Sequence, residues 1–273
     1  MRRYTLAAIL IGLVCAASAP AHAGDVPDLG TNATAWFVFN DEFQPPPSGP
    51  GPITFDKRFP YVDNAAARRA GVQPTYRIAD LSNPILQPWT REEMRKANDE
   101  VHAGKVPFRA RERCYPAGVP SFVVYTLAEP FYFIQAAKQV TIINQGGPEV
   151  RRIYLDVPHS ANPKPTWYGE SVGHYEDDTL VIDTIGLNSK TFVDAYRTPH
   201  TEKLHVVERW RMVDDRKFME VVFTVEDPDT YYEPWTGMRR YRRAAQQFRE
   251  EVCAENNQQL FDYEIPVANK PDF

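Results

Sequence analysis

The C-terminal half of the chain is divided into short β-rich runs, and this segmentation restricts the fold more than any other feature. Turn residues such as Asp177-Asp178 and Asp214-Asp215 separate the runs. No run of helical length lies between them, which excludes alternating βαβ units and predicts an antiparallel sheet. Eight to ten such strands predict a mainly β fold, an antiparallel lipocalin-like barrel or sandwich whose mouth can hold one small ligand. The runs cover residues 122–127, 131–135, 139–144, 149–155, 171–176, 179–185, 204–213, 217–226, 237–243 and 247–254.

The N-terminal part of the chain is irregular and rich in proline. Proline makes up 24 of the 273 residues, well above its usual share of about 5%, which argues against a bundle of long helices. We divide the chain into a Pro-rich arm (24–110), a barrel domain (111–258) and a C-terminal tail (259–273). The arm is predicted to contain one short helix, with Thr90 as N-cap, Glu93 completing a capping box, and an end near Gly104. The arm is also a candidate docking segment for a second subunit.

Residues 1–23 have the pattern of a secretory signal peptide. A basic start at Arg2 and Arg3 precedes a short apolar run, and Ala21-His22-Ala23 forms a small-x-small cleavage site. We therefore expect a periplasmic or secreted protein, cleaved near Ala23. No later stretch is long and apolar enough for a transmembrane helix, so the mature form is not expected to insert into a membrane. The net charge of −5 and the absence of Lys/Arg blocks argue against a nucleic-acid partner.

Two cysteines, Cys114 and Cys253, remain once the signal peptide with Cys15 is removed. In an oxidising compartment, two cysteines predict one disulfide, which here would join the two ends of the β-rich region. The alternative is two separate buried thiols.

Several sequence motifs lie between residues 112 and 256, namely ERCYPAGVP (112–120), VRRIYLD (150–156), PH (158–159), PTWYG (165–169), SVG (171–173), DTLVIDTIGLN (178–188), PHT (199–201), LHVVER (204–209) and VCAEN (252–256). Together they resemble a widespread group of exported bacterial proteins. The resemblance covers roughly residues 80–257 and implies a family but no particular reaction. The chain departs from the group's usual pattern within residues 168–177, where Glu170 and His174 replace a histidine and an arginine. Either this hairpin has drifted on a solvent-exposed face, or the chain has acquired a site of its own there.

Asp183 is the strongest candidate for a catalytic residue. It lies in LVIDTI (180–185), among aliphatic residues on a predicted strand. An enclosed carboxylate is disfavoured in its charged form, which suits a general base or acid. His200 and His205 are the candidate proton partners. The alternative is that Asp183 binds turn amides or an arginine.

Glu208 is a second anomaly, because it falls on the apolar face of a strand. Leu204, Val206, Trp210 and Met212 alternate with polar residues, and Glu208 shares their face, so it should point inward. An inward glutamate must be paired or functional. A metal site of His200, His205 and Glu208 is an alternative, but His205 and Glu208 should face opposite ways and no zinc-binding pattern is present. We therefore expect neither a metal nor a cofactor.

The function favoured by the sequence is cofactor-independent acid/base chemistry of the lyase, isomerase or cyclase type. The substrate would be a small apolar molecule, with an aromatic one favoured. An exported ligand carrier and a His/Glu metalloprotein remain the alternatives. His159 and His200 each follow a proline, for which a structural imidazole is the simpler interpretation, and the aromatic candidates could equally be core. The candidate substrate-binding residues are Trp167, Tyr168, Glu170, His174, Asn188 and Tyr196.

Overall fold

A computed structural model describes residues 26–31, 34–38, 43–72, 75–105, 114–123, 130–146, 149–245, 249–250 and 252. The candidate cleavage site, Cys253 and the tail lie outside these residues. The described elements are β1 (Ala35–Val38), α1 (Asn64–Ala70), α2 (Pro88–His102), a 3₁₀ turn (Ser121–Val123), β2 (Phe131–Ala136), β3 (Gln139–Asn144), β4 (Glu149–Leu155), β5 (Glu170–Glu176), β6 (Thr179–Ile185), β7 (His205–Val213), β8 (Phe218–Glu226) and β9 (Trp235–Ala244).

The strands form one closed barrel, which confirms the predicted fold class and excludes the sandwich. Each strand pairs with its neighbours in sequence, and β1 closes the barrel by pairing with both β9 and β2. β1 lies within the arm and was not predicted, because a strand of four residues in a Pro-rich stretch carries little periodic signal. The arm therefore contributes one wall of the barrel.

One pair of strands departs from the predicted antiparallel order. β4 and β5 run parallel, joined in register only at Tyr154–Val172 and Leu155–Gly173. Residues 156–169 carry the chain back across the barrel between them, and within this crossover Thr166 forms a parallel bridge with Leu187. A hairpin turn cannot join parallel strands, so this long connection is what the parallel pairing requires.

Helix α2 contacts loop residues such as Ala79, Thr198 and Thr230, and it begins earlier than predicted. Its N-cap is Gln87, with Pro88 in the first turn, so the proposed capping role of Thr90 is wrong. The Thr90 hydroxyl is buried and instead donates to the carbonyl oxygen of Thr230 at 2.9 Å.

Three other short elements differ from the predictions. The short helix α1 was not predicted, and the 3₁₀ turn at Ser121–Val123 occupies the start of the first predicted strand. Most of residues 247–254, the last predicted strand, lie outside the described residues.

Aromatic side chains fill much of the barrel interior. Trp210 contacts Phe133 and Tyr241 at ring-centroid distances of 5.3 and 5.5 Å, and Phe131 packs edge-on against Tyr241. These side chains belong to one continuous buried cluster. Burying a large aromatic ring stabilises a fold by roughly 2–3 kcal/mol. The interior is therefore a packed core that is rich in aromatic side chains.

Candidate active site on the outer face of the barrel

Asp183 lies on the outer face of β6 and not inside the barrel. Its neighbours Ile182 and Thr184 point inward and are fully buried, whereas 40% of the Asp183 side chain is exposed. The expectation of a carboxylate enclosed by aliphatic side chains is therefore wrong. The reason is the period-two alternation of a strand, which places Asp183 on the face opposite to Ile182.

Two histidines converge on one oxygen of Asp183. His205 Nε2 lies 3.0 Å from Asp183 Oδ1, and His159 Nε2 lies at the same distance from the same atom. The pairing of Asp183 with His205, one of its two candidate proton partners, is present in the structure. His159 was assigned only a structural role from the sequence. Together these three side chains form the cluster that we call the Asp183 cluster.

The other ring nitrogen of each histidine faces a further carboxylate. His159 Nδ1 lies 3.0 Å from Glu170 Oε1, and Glu170 also accepts hydrogen bonds from Ser160, from its hydroxyl at 2.8 Å and its backbone N–H at 2.7 Å. The Ser160 hydroxyl, its backbone N–H and then His159 hold the pKa of Glu170 below its usual value. His205 Nδ1 lies 3.6 Å from Glu226 Oε2, an ion-pair distance beyond hydrogen-bond range.

The barrel topology brings these residues together from four strands and one loop. Glu170, Asp183, His205 and Glu226 lie on β5, β6, β7 and β8, with His205 directly opposite Glu226. The crossover at 156–169 carries His159 and Ser160 over β5. It ends at Gly169, whose φ is +64° and where a Cβ would lie 2.3 Å from the Ile185 carbonyl oxygen. Only glycine fits this approach, so Gly169 fixes how the crossover meets β5.

The hydrogen-bond partners indicate which nitrogens carry protons. Both ring nitrogens of His159 face carboxylate oxygens, which only accept, so both can donate at once only in the imidazolium form. Among the described residues, His205 makes one side-chain hydrogen bond, from Nε2 to Asp183, and its Nδ1 is left free to hold or release a proton. All the side-chain hydrogen bonds that the described residues make to Asp183 end on Oδ1. Its second oxygen, Oδ2, accepts none of these hydrogen bonds and keeps its lone pairs.

Glu208 points into the barrel, as its period predicts, and is completely buried. Its two oxygens accept from Arg151 at 2.5 and 3.1 Å. Arg151 also donates to the hydroxyls of Ser171 and Thr184. Because Glu208 and Asp183 lie on opposite sides of the barrel wall, the structure does not bring them together. Glu208 is instead the partner of a buried arginine.

His200 is buried in the loop between β6 and β7, away from His205. Its Nδ1 donates to the Thr201 carbonyl oxygen and its Nε2 faces the Thr191 hydroxyl, both at 2.9 Å, so Nδ1 carries a proton. Burial lowers the pKa of His200. The alternative metal site is not formed by the structure. His200 lies in a buried loop, His205 lies on the outer face of the barrel, and Glu208 lies in the barrel interior. The described residues also contain no group of three or more His, Cys, Asp or Glu side chains placed to hold a metal.

The six candidate substrate-binding residues do not form one pocket. Only Glu170 contacts the Asp183 cluster. Tyr168 donates to Glu149 at 2.6 Å, Trp167 stacks on Tyr115, and His174 pairs with Glu176 at 2.9 Å. The Asn188 side chain accepts from the Lys190 N–H, and Tyr196 is buried in the loop after β6. The sequence shows which residues are polar or aromatic, but their grouping depends on strand register and on the crossover.

The buried Asp194 predicts an unusual pH dependence of stability. Burial raises its pKa to about 6, although the Thr198 hydroxyl and N–H and the Tyr196 N–H partly oppose this. The folded state therefore binds the proton more tightly than the unfolded state, and a stabilisation of roughly 3 kcal/mol present below pH 3.8 is lost as the pH rises through 6. We expect Asp194→Asn to flatten the change in unfolding free energy between pH 4 and 6, measured by urea denaturation.

The control for this experiment is His200→Gln in the same loop. Because the pKa of His200 is lowered by burial, its contribution is present above the unfolded value of about 6.5 and is lost as the pH falls below it. The two variants should therefore change the pH profile in opposite directions. An Asp194→Asn profile parallel to that of the wild type would contradict the assignment.

Comparison with known proteins identifies no family. No protein-family model matches the chain, and no curated protein matches it significantly. Among the described residues, no helix has both the length and the apolar character needed to span a membrane.

Proposed function

We propose that this protein is an exported enzyme that performs cofactor-independent acid/base chemistry at the Asp183 cluster. The reaction would be of the lyase, isomerase or cyclase type, on a small apolar substrate with an activated C–H bond. The observation that carries the proposal is the double acceptance at Asp183 Oδ1, because two histidines orient one carboxylate whose second oxygen keeps its lone pairs. An aspartate that only contacts solvent would not need two histidines to orient its carboxylate.

The residues of the cluster have separate roles in this proposal. Asp183 Oδ2 accepts the proton of the substrate, and His205, which is 35% exposed, returns a proton to the product as general acid. His159 touches Asp183 from the opposite side and is held by Glu170, so it positions the carboxylate and offsets its charge. Acid/base groups placed in this way typically accelerate a reaction by about 10²–10⁴-fold.

Hydrogen exchange in D₂O tests the proposal before the natural substrate is known. Purified protein is incubated in D₂O with a panel of small aryl ketones and aryl-substituted alkenes, and deuterium incorporation is followed by mass spectrometry. Proton abstraction labels a substrate even when no net product accumulates. Enzyme-dependent labelling or conversion of one class of compound is the expected result. Compounds that bind but stay unlabelled would favour the ligand carrier instead.

We also propose that the chain is exported by cleavage near Ala23 and that Cys114 and Cys253 then form a disulfide. Cys114 lies in an exposed turn with a left-handed backbone, φ 61°, and Cys253 lies outside the described residues. We expect denatured mature protein to show no reactive thiol until reductant exposes two. Cys114→Ser should lower the unfolding free energy by about 2–4 kcal/mol. Two reactive thiols without reductant would contradict the pairing.

A further inference from the structure

The two histidines of the Asp183 cluster differ in how firmly they are held. His159 has both ring nitrogens 3.0 Å from a carboxylate oxygen, one of Glu170 and one of Asp183. Glu170 is in turn fixed by two hydrogen bonds from Ser160. A proton can leave His159 only if one of its hydrogen bonds breaks. His159 is therefore suited to hold Asp183 in place and poorly suited to exchange protons with solvent.

His205 has one ring nitrogen engaged and the other facing a loosely held carboxylate. Its Nε2 lies 3.0 Å from Asp183 Oδ1 on β6, whereas its Nδ1 lies 3.6 Å from Glu226 Oε2 on β8. These are the charged groups that contact His205 from the two neighbouring strands. Because His205 and Glu226 are directly opposite in the β7–β8 register, the two side chains stay neighbours. The contact at Nδ1 can thus open and close without disturbing the hydrogen bond at Nε2.

Glu226 is also more accessible than the other glutamate on the same face of β8. Glu220 is only 4% exposed and is paired with Arg211 and Arg240. Glu226 is 54% exposed, and within the described part of the chain its ion pair is the one with His205. Carboxylic acids are generally stronger acids than imidazolium ions, so a proton that a glutamate takes from solvent passes readily to a neighbouring imidazole.

We propose that Glu226 is the residue through which His205 exchanges protons with solvent. The proposal rests on the proposed function, in which His205 returns a proton to the product. His205 Nδ1 gives that proton, takes its replacement from the Glu226 carboxyl group, and Glu226 takes up a proton from solvent. Asp183 Oδ2 releases the proton of the substrate to solvent, so the protons balance over one cycle.

Glu226→Gln tests the proposal without a substrate, because the amide keeps the shape of the side chain but cannot carry the proton. The rate at which His205 gains and loses its proton is measured by NMR relaxation dispersion at its ring Cε1, in dilute buffer. We expect this rate to fall about ten-fold, less than the effect of removing a group that itself transfers the proton to or from the substrate. Added acetate, at constant pH and ionic strength, should restore the rate, because a free carboxylate replaces the missing one.

Product formation from any compound that the wild-type protein labels in D₂O gives the second readout. Glu226→Gln should lower product formation about ten-fold and leave deuterium incorporation close to that of the wild type, because Asp183 still removes the proton. Glu202→Gln is the matched control, since it removes an exposed carboxylate on the loop before β7 and should change neither readout.

An unchanged proton-exchange rate at His205 in Glu226→Gln would overturn the proposal. A slower rate that acetate does not restore would also overturn it, because it would indicate a structural role for Glu226. Failure of the proposed enzyme function gives a different result, namely a wild-type protein that labels no compound in D₂O. Since more than half of the Glu226 side chain is exposed, the fold should tolerate the change.

Discussion

Replacing Glu208 with alanine is expected to lower the free energy of unfolding by about 3–5 kcal/mol. The change leaves the Arg151 guanidinium buried with only the hydroxyls of Ser171 and Thr184 as acceptors. An uncompensated buried charge is costly, because the low-dielectric interior cannot replace the lost hydration. A loss of this size is a large part of the 5–15 kcal/mol by which a typical domain is stable. Urea denaturation of the purified variant measures it.

The position of the Arg151–Glu208 ion pair in the barrel explains why its loss is expected to lower the free energy of unfolding so strongly. Arg151 lies on β4, Glu208 on β7, and the two hydroxyls lie on β5 and β6. The network therefore spans the parallel β4–β5 seam, where only two residue pairs are in register. We infer that it compensates inside the barrel for the short backbone ladder.

Three further variants make the Glu208 prediction decisive. Glu208→Gln keeps two polar atoms beside Arg151 and should cost less than alanine. The double variant Arg151→Met/Glu208→Leu removes both charges and should recover most of the stability, as buried pairs often do when replaced together. Glu202→Ala, at an exposed position, should change stability by less than about 0.5 kcal/mol. A Glu208→Ala variant as stable as Glu202→Ala would contradict the role of the pair.

Asp183→Asn is expected to reduce enzyme-dependent deuterium exchange by about 10²–10⁴-fold, the usual contribution of a positioned general base. Asparagine has nearly the same shape, but its amide cannot take a proton from carbon. Because 40% of the Asp183 side chain is exposed, the fold should tolerate the change. Thermal unfolding measured in parallel checks this, and full exchange by a folded Asp183→Asn protein would refute the assignment.

Two companion variants separate the roles within the cluster. Asp177→Asn makes the same chemical change at the β5–β6 turn, where φ is 50°, a conformation that asparagine adopts readily. It should retain wild-type exchange. His205→Gln should reduce product formation more than exchange, because His205 is assigned to return the proton and not to remove it. Equal losses in both readouts would remove the general-acid role of His205.

The strands and the face of each side chain were largely predictable. Seven predicted runs match β2 to β8 to within one residue at each end. Glu208 was correctly assigned to the inner face, because a period of two is a local property of the chain. The same alternation places Asp183 on the outer face in the structure, but its aliphatic neighbours in the sequence had led us to expect an enclosed carboxylate. For Asp183, the residue types of its neighbours predicted burial less well than the alternation of the strand.

The partners of these side chains could not be predicted in the same way. His159 precedes Asp183 by 24 residues and reaches it only because the crossover returns over β5. If a hairpin joined β4 and β5, the crossover would be absent and His159 would not reach Asp183. The pairing of Arg151 with Glu208 likewise depends on barrel closure, since 57 residues separate them.

By itself, the sequence determined that this is a mainly β protein with an inward glutamate at position 208, because turn residues and alternation act over a few neighbouring residues. Only the tertiary structure decided that β4 and β5 run parallel, that Glu208 is held by Arg151, and that His159 and His205 share one oxygen of Asp183. These features depend on strand order and crossover path, which minimise the free energy of the whole chain. No short segment of the sequence encodes them.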